Sequence, residues 1–350
     1  MNIWTTFTPG KVTWELTKVQ SKGKGATSDW QKNLPIIKTS LQKLKTTGIV
    51  GIRLVIYPSE ITKDGRIINW KPIDTMLNLC KENKLAVDFC IGPFQYPHYP
   101  GIFLPEQLKQ YIPQENYLDS DKTLAIYGMD FLQKQLTRYG NDSRIHGFHF
   151  ANEWPDFQRI SGKETIRIGV SEAFMLHAAT FLKQKTKKPI LMNTNIDAGD
   201  KRKIWNTFDK LLSILGKQAK LGFDIYPSQE TWMKSPLQKL RRLFEPYPKS
   251  LAWSCKRFND CEIYFTEVES QPWGNGQSWY QMISNEENPN ETIFGFHKND
   301  LQKTWNKHIT ETSCQTVNLW GSDFWLSADA MKISWPLEMV RKLTSGRTDK

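Results

Sequence analysis

The chain has 350 residues, 39% of them hydrophobic and 24% charged, an ordinary globular balance with no apolar run long enough to cross a bilayer. Its 47 Lys and Arg outnumber 36 Asp and Glu for a net charge of +11, yet the basic residues are scattered, as at Lys183–Lys188. That is the look of solvated helix ends and argues against a specific nucleic-acid binder. Five Cys without a CxxC pair and six His without metal-ligand spacing argue against a disulfide scaffold, a metal centre or any other cofactor site. Met1–Thr5 shows no signal peptide. The expectation is a cytoplasmic protein if the chain is complete, and a secreted one if a targeting segment was trimmed.

Short apolar runs alternate with amphipathic segments from end to end. The runs are Ile3–Phe7, Val50–Tyr57, Ala86–Ile91, Ile145–Ala151, Ile190–Asn193, Leu221–Tyr226, Ile263–Val268 and Val317–Trp320. Their β-branched and aromatic residues suit parallel strands buried on both faces. Helical spacing appears between and after them, at Ile37–Leu44, Ile73–Cys80, Met129–Tyr139, Phe174–Phe181, Ile204–Leu215, Leu237–Leu243, from Leu301 to Trp305, and at Leu337–Leu343. Asp29, Ser120, Ser171 and Asn299 are placed to cap helices, and Gly48, Gly140 and Gly222 to supply left-handed helix ends.

Eight strand–helix units in one α/β chain predict a closed (β/α)8 (TIM) barrel spanning residues 1–350 as a single domain. An open doubly wound sheet is disfavoured, because Thr8-Pro9-Gly10-Lys11 after the first run is no phosphate-binding turn. Two long stretches without helical pattern, Gly92–Asp119 and Pro272–Asp300, follow the third and seventh strands. They are expected to wall the C-terminal mouth of the barrel, where barrel active sites are built.

Carboxylic acids occur at strand ends: Glu60, Glu153, Glu267, Glu269 and Asp323. Glycosidic bond cleavage needs two of these on opposite sides of the anomeric carbon. Asn152-Glu153 ends an apolar strand beside aromatic residues, which favours a raised pKa and a general acid; a capping turn is the plainer alternative. Glu267 lies inside the run Ile263–Val268, costly unless paired, and strand alternation puts Glu269 on its face as a rival. The 12% of aromatic residues, 14 Trp among them, suits platforms for sugar rings as well as core packing.

Taken together, these segments resemble clan-A retaining glycoside hydrolases, most closely the family-5-like, cellulase-like group. The resemblance rests on Asn152-Glu153, Thr266-Glu267 with Pro272-Trp273, Gly51-Ile52-Arg53-Leu54, Gly222–Pro227 and Asn318-Leu319-Trp320-Gly321. It implies Glu153 as acid/base and Glu267 as nucleophile. Arg53 then contacts the nucleophile, Tyr226 positions it, and Trp320 floors the cleavage subsite. Apart from the resemblance, the Asn152 amide can hydrogen-bond a sugar hydroxyl, Glu269 either binds one or faces solvent near the rim, and Trp154 and Trp273 either stack on flanking sugars or pack as ordinary aromatic residues. The implied partner is a β-linked oligo- or polysaccharide. Trp154 stands where the family commonly has proline, and no strand-3 histidine is evident near His98. A transglycosidase using the same two carboxylates, or a non-catalytic carbohydrate-binding barrel, remains open on these residues.

Overall fold

Eight parallel strands close on themselves. In chain order they are β1 Asn2–Phe7, β2 Gly51–Leu54, β3 Ala86–Ile91, β4 Gly147–Phe150, β5 Ile190–Asn195, β6 Ala219–Ile225, β7 Glu262–Glu269 and β8 Thr316–Trp320. Each pairs with its sequence neighbour, and β8 pairs with β1 through Asn2–Thr316 to Thr5–Leu319. The computed structural model describes all residues except 63–67, 93, 95–103, 114–116, 151, 155–157, 160–166, 196–200, 226–256, 259–260, 270–276, 294–295, 298–313, 315 and 347–350. At 158, 159, 167, 168, 195, 201–203, 269, 296 and 297 it describes the backbone alone.

The pleat divides the strand residues into two sets. Ile3, Phe7, Ile52, Leu54, Val87, Phe89, Phe148, Phe150, Met192, Leu221, Phe223, Phe265, Val268, Val317 and Leu319 join one apolar core between barrel and helices. The alternate positions are largely polar in the half nearer the mouth: Thr6, Arg53, His149, Asn193, Asp224 and Asn318, all buried. Buried polar groups are tolerable only when hydrogen-bonded, so the barrel interior has to be a satisfied network.

The surrounding helices are α1 Pro9–Gln20, α2 Leu34–Thr46, α3 Lys71–Glu82, α4 Lys122–Tyr139, α5 Glu172–Lys185, α6 Lys201–Leu215, α7 Trp279–Ser284, α8 Ser322–Ala330 and α9 Trp335–Thr344. Three of them escaped the periodicity reading: the short α7, α1 and α8. α1 buries Thr13 and Glu15 beside Val12, so its inner face is partly polar. α8 has no stripe because Ser322 through Ala328 are all buried. The helical patterns at Leu237–Leu243 and from Leu301 lie outside the described residues.

Ser171 caps α5 by accepting from the Phe174 N–H, as expected. The cap of α4 is Asp121 rather than Ser120, and its carboxylate accepts from Thr123 and Leu124 N–H. Asp29 accepts from Lys32 N–H in the turn ahead of α2 rather than capping that helix directly. Asn299 is outside the described residues. Gly48 does take the left-handed backbone, with φ 88°. Gly140 is helical with φ −53°, and Gly222 lies within β6, where a side chain would collide with Thr266. Of the two expected loops, the first holds short 3-10 turns at Glu106–Tyr111 and Leu118–Ser120. The second is not wholly irregular, since it contains α7 and a ribbon of Thr292–Ile293 with Phe296–His297.

Candidate active site

A β-bulge on β7 shapes the site. Phe265 faces both Phe223 of β6 and Val317 of β8, but the next pairs are Glu267–Asp224 and Val268–Leu319. Thr266 is therefore the extra residue, and the bulge lets two successive side chains enter the barrel. Thr266 donates its hydroxyl to Asp224 Oδ1 (2.6 Å), while Glu267 pairs with the Arg53 guanidinium from β2. Arg53 is anchored in turn by Thr6 Oγ1, which accepts from Nε (3.0 Å) and Nη2 (2.7 Å). Asn318 of β8 holds the bulge from the other side, donating to the Thr266 carbonyl at 2.7 Å.

Glu153 follows β4 in a left-handed conformation with φ 52°, unusual for a side-chain-bearing residue. Its N–H donates to Asn193 Oδ1 of β5 at 3.1 Å. The Asn193 amide also donates to Asp224 Oδ2 (2.5 Å) and Asn152 Oδ1 (3.2 Å). Because a backbone N–H can only donate, Asn193 Oδ1 is the acceptor, so His149 Nε2, 2.7 Å from it, must carry a proton. His149 Nδ1 is then free to accept from the Cys90 thiol at 3.7 Å.

One carboxylate oxygen from each of Glu153, Asp224 and Glu267 lies within 4.8 Å of the others. Burial first, then the charges of Glu267 and Glu153, push the Asp224 carboxyl well above its ordinary range, against the pull of Arg53. Burial and the nearby Arg53 charge hold the His149 imidazole well below its ordinary value, so it is neutral. Burial opposes the Arg53 charge, but Glu267, Cys90 and Asp224 more than offset it and raise its pKa. A fixed guanidinium on Glu267 and donors on both Asp224 oxygens leave this trio poorly suited to a cation.

The predicted residues divide cleanly. Glu153, Glu267, Arg53 and Asn152 converge in one network, and Trp320 ends β8 with its side chain buried. Trp154 does not present a platform: it is 2% exposed, packs in the core and donates its indole N–H to the Val170 carbonyl at 3.0 Å. Tyr226 and Trp273, and the side chain of Glu269, lie outside the described residues. Of the other strand-end acids, Glu60 accepts from Trp30 Nε1 and the Tyr57 N–H, and Asp323 accepts from Trp279 Nε1. Those two carboxylates tie neighbouring segments together, Glu60 the turn at Trp30 and Asp323 of α8 the start of α7. Asp224, Asn193 and His149 were missed as site residues, although a lone Asp in the apolar run Leu221–Tyr226 carries the same signal that singled out Glu267.

No protein-family model matches the chain, and no curated protein matches it in sequence. Solved structures do share its fold. A GH5_18 from Bifidobacterium longum subsp. infantis superposes with TM-score 0.63 at 12% identity, covering 100% of this chain and 80% of that one. The GH5_18 from Streptomyces cattleya, in complex with GlcNAc, gives 0.62 at 11% identity, covering 100% and 81%. The β-galactosidase from the psychrophilic Marinomonas ef1 gives 0.59 at 11% identity; there 99% of this chain spans only 59% of the neighbour. The chain shares the closed (β/α)8 barrel fold of these solved structures.

Proposed function

We propose that the protein is a retaining glycoside hydrolase acting on a β-linked oligo- or polysaccharide, with Glu267 as nucleophile and Glu153 as acid/base. One observation carries this reading: carboxylate oxygens from the ends of β4 and β7 approach within 4.8 Å. Retaining enzymes place their two carboxyl groups about 5 Å apart, whereas inverting ones need roughly 6.5–9.5 Å to admit a water.

Glu267 attacks the anomeric carbon while Glu153 gives its proton to the leaving oxygen. The glycosyl–Glu267 ester is then hydrolysed by a water that Glu153 deprotonates. Arg53 fits this division of labour, because its guanidinium pairs with Glu267 and is itself fixed by Thr6, which holds the nucleophile in place. Asn152, buried next to Glu153, is the candidate partner for a sugar hydroxyl, and Trp320 the candidate floor of the cleavage subsite. The neighbours with Manβ1-4GlcNAc or GlcNAc bound, and the one named a β-galactosidase, make β-mannosides, β-N-acetylglucosaminides and β-galactosides the first substrates to try.

A panel of 2-deoxy-2-fluoro β-glycosides with activated leaving groups tests the reading. The expected result is time-dependent inactivation and a mass increase on the peptide containing Glu267. Sugar binding without labelling of any carboxylate favours a non-catalytic binder, and labelling of Glu269 instead reassigns the nucleophile.

A further inference from the structure

Among the described residues, β4 and β5 pair at Phe148–Ile190 and His149–Leu191. Glu153 lies four residues past the second of these pairs, and a side chain of β5 ties its backbone to that strand. Asn193 Oδ1 receives the Glu153 N–H at 3.1 Å, and this contact holds a residue in the left-handed region that favours glycine, with φ 52°.

The same amide is used to its full capacity. Its oxygen also accepts from His149 Nε2, and its nitrogen donates to Asp224 Oδ2 and Asn152 Oδ1. Two acceptor and two donor sites are all an Asn has. Asn193 is fully buried, and each partner is anchored in turn: His149 against Cys90, and Asp224 by Thr266 of the β7 bulge. One amide therefore links the backbone of Glu153 to the strand that carries Glu267. No other common side chain does this at the same reach: Asp lacks the donor, Leu lacks both groups, and Gln is one carbon too long.

We propose that Asn193 is a positioning residue for proton transfer by Glu153, acting through the Glu153 backbone rather than on the substrate. The proposal rests on the reading of Glu153 as acid/base. Small misplacements of a general acid matter because proton transfer requires hydrogen-bond reach to the leaving oxygen. The consequence is selective: departure of a poor leaving group needs the proton, whereas departure of a good one does not.

The experiment compares kcat/KM, which reports the glycosylation step, for phenyl and 2,4-dinitrophenyl β-glycosides of one sugar. Asn193→Ala is expected to lose roughly 10²-fold on the phenyl glycoside and less than about 3-fold on the dinitrophenyl glycoside. Asn193→Ser, which leaves a small polar group and room for water beside Asp224, keeps the comparison available if the Ala variant does not fold; the same selective loss is expected. Equal losses on both substrates, or none, overturn the proposal, since a general structural defect does not discriminate leaving groups. A wild type that hydrolyses neither glycoside counts against the hydrolase reading and this inference together. An active wild type whose variants ignore the leaving group counts against the inference alone.

Discussion

Arg53 and Glu267 form an ion pair across the barrel interior, from β2 to β7, with their side chains 2% and 3% exposed. Removing one partner leaves the other charged and buried. Arg53→Met is therefore expected to cost about 3–5 kcal/mol of stability, measured by urea unfolding. The Arg53→Met/Glu267→Leu double variant should recover much of that loss, because no orphaned charge remains. A single-variant loss below about 1 kcal/mol would show that the pair is solvated after all.

Glu15 gives the stability an unusual pH dependence. Burial first, then the nearby Asp323, raise its pKa from 4.5 to about 7, although Lys11 pairs with it at 2.6 Å and the Trp279 N–H donates to it. A carboxyl raised on folding favours the protonated native state. Its contribution is thus fully present below about pH 4.5 and lost as pH rises through about 7. The shift corresponds to about 3 kcal/mol. Unfolding free energies of wild type and Glu15→Gln, measured from pH 4.5 to 8, should show the wild type losing that amount relative to the variant. A constant difference across this range contradicts the assignment.

Trp154 is expected to act on stability and not on sugar affinity. Trp154→Phe keeps most of the packing but leaves the Val170 carbonyl without its indole donor, a loss of about 1–3 kcal/mol. KM for the best glycoside should change less than about 3-fold. A large rise in KM with unchanged stability would restore Trp154 as a sugar platform.

Gly222 sits on β6 with no space for a β-carbon, because Thr266 fills it. Gly222→Ala must push aside the hydroxyl that donates to Asp224. A stability loss of about 1–3 kcal/mol is expected from overpacking, with reduced kcat from the disturbed bulge. Thermal unfolding and steady-state kinetics on the same preparation check both, and the pairing of the two effects is the diagnostic.

Much of this molecule was legible before any coordinates. Every barrel strand overlaps an apolar run, because strands covered on both faces need apolar residues wherever they meet the helices. Glu153 and Glu267 stood out because a carboxyl at such a strand end is expensive without a purpose, and Arg53 through the resemblance carried by Gly51-Ile52-Arg53-Leu54. α1 and α8 stayed hidden because one buries polar groups on its inner face and the other is buried on all sides from Ser322 to Ala328, so neither carries a helical stripe.

The order of the eight strands and the acids at their ends were determined by the sequence alone, since periodicity and composition are local properties. Only the closed barrel decided which distant residues meet. Asn193 reaches Glu153 across 40 positions, Asp224 meets Thr266 across 42, and Arg53 meets Glu267 across 214. The bulge that turns both Thr266 and Glu267 inward exists only through pairing with β6 and β8, and the burial of Trp154 only through the segment packed over it. Neighbours brought together by barrel closure leave no periodic trace in the chain that forms them.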